Sequence, residues 1–206
     1  MLIPTGDSYL NDVRFDLRSN LSSANSSGVA YITDSSSEGH NGLVIVDLAS
    51  GNSWRHLNGD SRTHSELQFL PFVWGQPVYG FMAGEPEQYL GFGADGIALS
   101  SDGHTLFFGP TGGSYLYSVP TALLRAQGPA SEVRAQAGVN SLTQKGASDG
   151  FETDSNGLIY LGHPQQNAVV IYNPANSSMS TFVRDPRVNW VDTLSGEYLS
   201  LFNKLL

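Results

Sequence analysis

Hydrophobic and polar positions alternate along most of this chain with a period of two, as at Tyr115, Tyr117 and Val119, the pattern of a half-buried strand. NDVRFDL, GVAYITD, GLVIVDL and SWRHL predict four strands between Asn11 and Leu57, with turns at 25–28 and 49–52. ADGIALSSDGHTLFFGPTGGSYLYSVP, from Ala94 to Pro120, predicts three more. SDGFETDSNGLIYLGHPQQNAVVIYNP, from Ser148 to Pro174, repeats that arrangement. Each of these two copies opens on Asp-Gly, turns through Ser-Asp-Gly or Ser-Asn-Gly, and ends its third strand in Pro. Such Gly turns suit the positive φ of two-residue hairpins. Between the copies, PTALLRAQ predicts one short helix with Thr121 as its cap.

An aspartate marks the start of each copy, at 12, 95, 149 and 192. The step from Asp149 to Asp192 is 43 residues, within the ~40–45 of a four-stranded propeller blade. Blade-like copies therefore span 11–57, 94–140 and 148–184, and another begins at 191. The Pro/Gly-rich stretch 58–93 reads as an insertion between blades. The whole chain, 1–206, reads as a single incomplete all-β propeller domain of about three and a third blades. Propellers hide their sheet edges by closing the ring. This chain is expected to leave unpaired edges before the first copy and near Asp192, and to self-associate through them.

Composition narrows the function classes. Ten basic against nineteen acidic residues give a net charge of -9, which argues against nucleic acid or an anionic membrane surface as partner. No apolar run approaches the ~18 residues of a membrane helix. With no cysteine there is no disulfide, thiol nucleophile or cysteine-ligated zinc. Charged residues make up 14%, well under the ~25% of an average domain, as suits a protein of many short strands and turns. The first apolar run stops after Ile3, so no secretory signal is read here. Asn20, Asn25 and Asn176 lie in N-x-S/T sequons.

The segments LNDVRFDL, AYITDSS, GLVIVDLASGNSWRHL, GADGIALSSDGHTLFF, LYSVPTALLR, KGASDGFETDSNGLIYL, NAVVIYNP and DPRVNWVDTLS, in this order, resemble the yellow / major royal jelly protein family from about Tyr9 to Ser195. The flavour is that of microbial, especially fungal, members. The resemblance implies a six-bladed propeller with a ligand pocket at one mouth of its channel. Members of this usually secreted family run to roughly twice this length, so the chain reads as truncated, and its tail SGEYLSLFNKLL departs from the family pattern.

In a propeller the first strand of each blade lines the axis. Asn11 with Asp12, then Asp95, Asp149 and Asp192, are therefore expected to converge on the channel mouth, with Trp190 as an aromatic wall. Clustered carboxylates call for a compensating cation, either Ca²⁺ or another hard divalent ion or the ammonium of a small organic ligand. A more distant similarity to gluconolactonase / senescence-marker propellers implies Asn11, Asp95 and Asp149 as metal ligands; the further carboxylate of that family comes from a blade this chain lacks. The plainer alternative is that each Asp caps a strand-opening turn. Trp74, Phe72 and Tyr79 suggest a lid from the insertion, and Trp54 packing between blades.

Other motifs carry less. GFGADG satisfies G-x-G-x-x-G but is followed by a strand, not the helix that dinucleotide binding needs. No G-x-S-x-G, phosphate loop or paired histidine motif occurs. His56 and His104 read as surface residues and His163 as a loop residue. The leading expectation is a small-molecule-binding propeller serving a natural-product pathway. The alternatives are a pathway enzyme (a hetero-Diels–Alder-type cyclase or isomerase, or a metal-dependent lactonase-like hydrolase) and a non-functional fragment.

Overall fold

Three four-stranded antiparallel sheets follow one another along the chain in the computed structural model, which describes residues 7–18, 21, 27–80, 83–84 and 86–196. The first comprises β1 (Leu10–Asp16), β2 (Val29–Asp34), β3 (Gly42–Asp47) and β4 (Ser53–His56). The insertion contributes a small hairpin, β5 (Phe72–Val73) with β6 (Gln76–Pro77). The second sheet comprises β7 (Ala94–Leu99), β8 (Thr105–Pro110), β9 (Tyr115–Pro120) and β10 (Asn140–Gln144). Helices α1 (Thr121–Arg125) and α2 (Ser131–Ala137) sit between its last two strands. The third comprises β11 (Phe151–Thr153), β12 (Ile159–His163), β13 (Ala168–Asn173) and β14 (Ser178–Arg184). Strand order within each sheet is sequential, and β7 packs against both β1 and β11. Three consecutive meanders joined at their first strands are blades of a β-propeller, the fold class expected from the repeats.

The sequence explains why the sheets stack. Side chains alternate across a strand, so the run TLFF in β8 serves two cores at once. Leu106 and Phe108 join Tyr31, Leu43, Ile45, Ile97 and Val119 between the first and second sheets. Phe107 points the other way, joining Phe151, Leu161, Val170 and Tyr172 between the second and third. Each such large side chain taken fully from water contributes roughly 1.5–3 kcal/mol. The hairpin glycines Gly103 and Gly157 take positive φ, 71° and 81°, as the Ser-Asp-Gly and Ser-Asn-Gly turns require.

Several local expectations are corrected. Thr121 is the first residue of α1 and does not cap it; Pro120 holds the cap position, while the Thr121 hydroxyl donates to the Gly103 carbonyl. Helix α2 is additional. Its window SEVRAQA offers no apolar stripe, because the residues it buries are Ser131 and Ala135 and its one large hydrophobe, Val133, is exposed. His56, read as a surface residue, is 2% exposed, because α2 closes over the end of β4. Its Nδ1 lies 2.9 Å from Glu132, and its Nε2 lies 2.9 Å from the Ala126 carbonyl. His163 is buried at the end of β12, whereas His104 is exposed. Trp54 packs on the first core and donates to the Leu124 carbonyl. Asn176 is exposed in the β13–β14 turn; the sequons at Asn20 and Asn25 and the tail 197–206 lie outside the described residues. Among the described residues no helix is long and apolar enough to cross a membrane.

Candidate functional site

Two matching irregularities aim the site. The pairing of β1 with β2 slips between Leu10 and Val13, and that of β7 with β8 slips between Ala94 and Ile97. Such bulges re-aim side chains at a barrel or channel rim. They place Asn11 in the role of Asp95, and Asp12 in the role of Gly96. The blade marker therefore shifts by one residue in the first copy: Asn11, and not Asp12, reaches the neighbouring blade.

The polar groups then link three blades in a chain. The Asn11 amide donates to Asp95 Oδ1 at 2.6 Å and to Ser35 Oγ at 3.2 Å. The Thr111 hydroxyl lies 2.8 Å from Asp95 Oδ2 and 3.1 Å from Asp149 Oδ1, so one donor sits between two carboxylates. The Trp190 indole N–H closes the chain on Asp149 Oδ2 at 2.6 Å. The bonds from Asn11 to Asp95, from Thr111 to Asp149 and from Trp190 to Asp149 link one blade to the next, so these carboxylates bond beyond their own turns. Together with Tyr9, Phe92 and Asp192, they line an open cleft of about 210 Å³. The Tyr9 and Phe92 rings meet at 6.2 Å between centroids.

Asp12 stands apart. It accepts from Arg14 at 2.7 Å and from the Val13 amide, and with Asp192 it lines an adjoining hollow of about 160 Å³. Arg14 also donates to the Phe151 carbonyl, tying the first blade to the third.

Electrostatics follow from this crowding. Burial and the charge of Asp149 push the Asp95 carboxyl up to about 8. Asp192 is raised too, by burial and then by the charges of Asp149 and Asp12. Lys145, 1% exposed, feels the same carboxylates, and its ammonium donates to the carbonyls of Pro110, Gly113 and Gly146. Burial lowers it to about 7, against the opposing pull of Glu66, Asp149 and Asp95.

The Asp-Gly pairs acquire a second meaning here. Neither Gly96 nor Gly150 has positive φ. A Cβ on Gly96 would lie 2.2 Å from the Asp149 carbonyl oxygen, and one on Gly150 would lie 1.2 Å from that of Asp192. Each glycine is thus the seat for the backbone of the next Asp. In this way segment 190–194 is seated against the third blade, which brings Trp190 to the cleft.

Asn11, Asp95 and Asp149 form an all-oxygen set that suits a hard cation, although the Asn11 amide now presents its nitrogen. Among the described residues no group of three His, Asp or Glu side chains is arranged to hold a metal ion. Thr111, Lys145 and the Tyr9–Phe92 wall escaped the sequence reading. The signal for Thr111 is a hydroxyl just past the second strand of a blade, which recurs as Ser35.

No curated protein matches the chain. Among solved structures, a calcium-binding regucalcin from Agrobacterium tumefaciens aligns at TM-score 0.46 and 18% identity, over 82% of this chain and 43% of that one. A gluconolactonase from Xanthomonas campestris aligns at TM-score 0.48 and 12% identity, over 90% and 51%. A luciferin-regenerating enzyme aligns at 0.49 and 12%, over 82% and 43%. The chain spans about half the length of these structures. A sequence model of the major royal jelly proteins matches residues 2–199, nearly end to end and across all three blades. By that match, the chain belongs to the major royal jelly protein family.

Proposed function

We propose that the chain binds a small organic cation, an amine carrying an aromatic or other flat apolar group, in the cleft at the propeller mouth. The observation that carries this is the Asp95–Asp149 pair, two carboxylates sharing the single hydroxyl of Thr111 inside an aromatic wall. Like charges so placed need a proton or a positive ligand. Tyr9, Phe92 and Trp190 offer ring faces and edges to an apolar body, and a ring face also attracts an ammonium. The cleft is smaller than the ~300–1,000 Å³ of drug-sized sites, which restricts the ligand to a small one. The resemblance to fungal members supports placing this binding in a natural-product pathway.

A second reading has the same electrostatic support. Asn11, Asp95 and Asp149 would hold a divalent cation, which when bound would supply positive charge and polarise a ligand carbonyl, as in metal-assisted lactone hydrolysis. Calorimetric titration separates the two. Tyramine is expected to bind and to lose its binding in D149A and D95N, with calcium chloride giving no heat. Calcium binding that disappears in D149A, with silent titrations of tyramine and its homologues, would replace the amine reading by the cation reading.

A further inference from the structure

Hairpin β5–β6 breaks a local rule. Its two-residue turn is Trp74-Gly75, and both residues have positive φ, 56° and 73°. That is the backbone of a type I′ turn, whose first position ordinarily holds Asn, Asp or Gly. A side chain as large as Trp is disfavoured there. Violations of this kind persist where the surroundings hold them and where function uses them. Trp74 is also 57% exposed, so burial does not compensate. What it does is donate to Asn189 Oδ1 at 3.3 Å, the residue next to Trp190. Trp190 itself is held at positive φ, 48°, with its own indole on Asp149.

The rest of the insertion has the form of an arm. One end is fixed to the second blade: Glu66 accepts from the Ser114 amide and hydroxyl, and its own amide donates to Gly112. The other end is fixed by buried Leu90 and by the Phe92 carbonyl, which accepts from Gly112. Between these anchors β5 reaches the 3₁₀ turn Pro164–Gln166 of the third blade. The arm thus crosses the second blade on the side of the mouth, and its tip is tied by one exposed hydrogen bond to the segment that walls the cleft.

We propose that hairpin β5–β6 is a strap over the mouth, and that the Trp74–Asn189 bond is the latch that controls exchange of the ligand in the cleft beside Trp190. The proposal rests on the cleft being the ligand site. Two variants break the latch from opposite sides. W74N puts a residue favoured at a type I′ position in place of the indole, so the hairpin keeps its turn and loses only the bond; N189A removes the acceptor. With tyramine as probe, stopped-flow fluorescence should show its dissociation rate rising about three- to tenfold in both variants, the range of one net hydrogen bond. Amide exchange at Val78, whose N–H donates to the Pro71 carbonyl, should rise in N189A, which leaves the turn itself unaltered, without any ligand. Tyramine bound with unchanged rates in both variants would overturn the latch. Absent tyramine binding together with faster Val78 exchange would leave the latch standing and remove the amine reading. Unchanged exchange would overturn the strap whether or not tyramine binds.

Discussion

At the scale of single residues, the Asp95 proton and the Lys145 cage give the sharpest expectations. Burial and Asp149 hold the Asp95 carboxyl near 8, against ~3.9 for a free side chain. The folded chain therefore keeps a proton that the unfolded chain releases. The stability this adds is complete below about pH 4 and is lost as the pH rises through 8. Thermal midpoints of wild type and D95N should differ by an amount that changes steadily between pH 5 and 8, the wild type losing ground as the pH rises; parallel curves would contradict the assignment. Lys145 makes a separate prediction. In K145M three carbonyls lose their donor, two of them at buried contacts, and an unsatisfied buried group costs ~1–3 kcal/mol. Urea unfolding should report a loss of about 2–4 kcal/mol, and an unchanged midpoint would show that the carbonyls find other partners. Asp95 and Asp149 were legible in sequence because a repeat marks them twice. Lys145 was not, because a lone lysine in QKGAS reads as solvated until the loop at 145–150 is seen closing between two sheets.

At the scale of elements, the strands were legible from their period and the helices only in part. Period-two runs bounded by Ser-Asp-Gly and Ser-Asn-Gly located β7 to β9 and β11 to β13. α2 stayed hidden because it buries small residues. Register was the harder quantity. A bulge leaves no compositional trace, so the sequence marks Asn11 and Asp12 together and only the structure shows that Asn11 is the one bonded to Asp95. The seat at Gly150 is a test of element packing. G150A sets a methyl against the Asp192 carbonyl, and such overpacking costs roughly 1–3 kcal/mol or displaces the neighbour. Displacement of 190–194 takes the Trp190 indole off Asp149, so G150A should shift tryptophan emission to the red and weaken tyramine binding. Unaltered emission and affinity would mean that the seat is not what positions Trp190.

At the scale of the molecule, each blade sheet has four strands, and the outer strand β14 is exposed along almost its whole length. Phe182 lies 62% exposed on it, edge-on to Tyr160 at 5.2 Å. An open edge carrying an exposed aromatic is a template for association, and a charge placed there blocks it. Light scattering should therefore show wild type growing in mass with concentration and F182K remaining at the mass of one chain; identical behaviour of the two would remove β14 as the contact. The Asp-Gly seats have a consequence of another kind. In each pair the Asp supplies a carboxylate to the cleft and the Gly receives the backbone of the following unit, so one dipeptide joins the chemistry of the cleft to the spacing of the array. A blade transplanted from a relative, or duplicated within a gene, stays in step with its neighbours only when both residues travel together. Inheritance of the pair as a single module would let such arrays change in length while keeping their carboxylates at the axis.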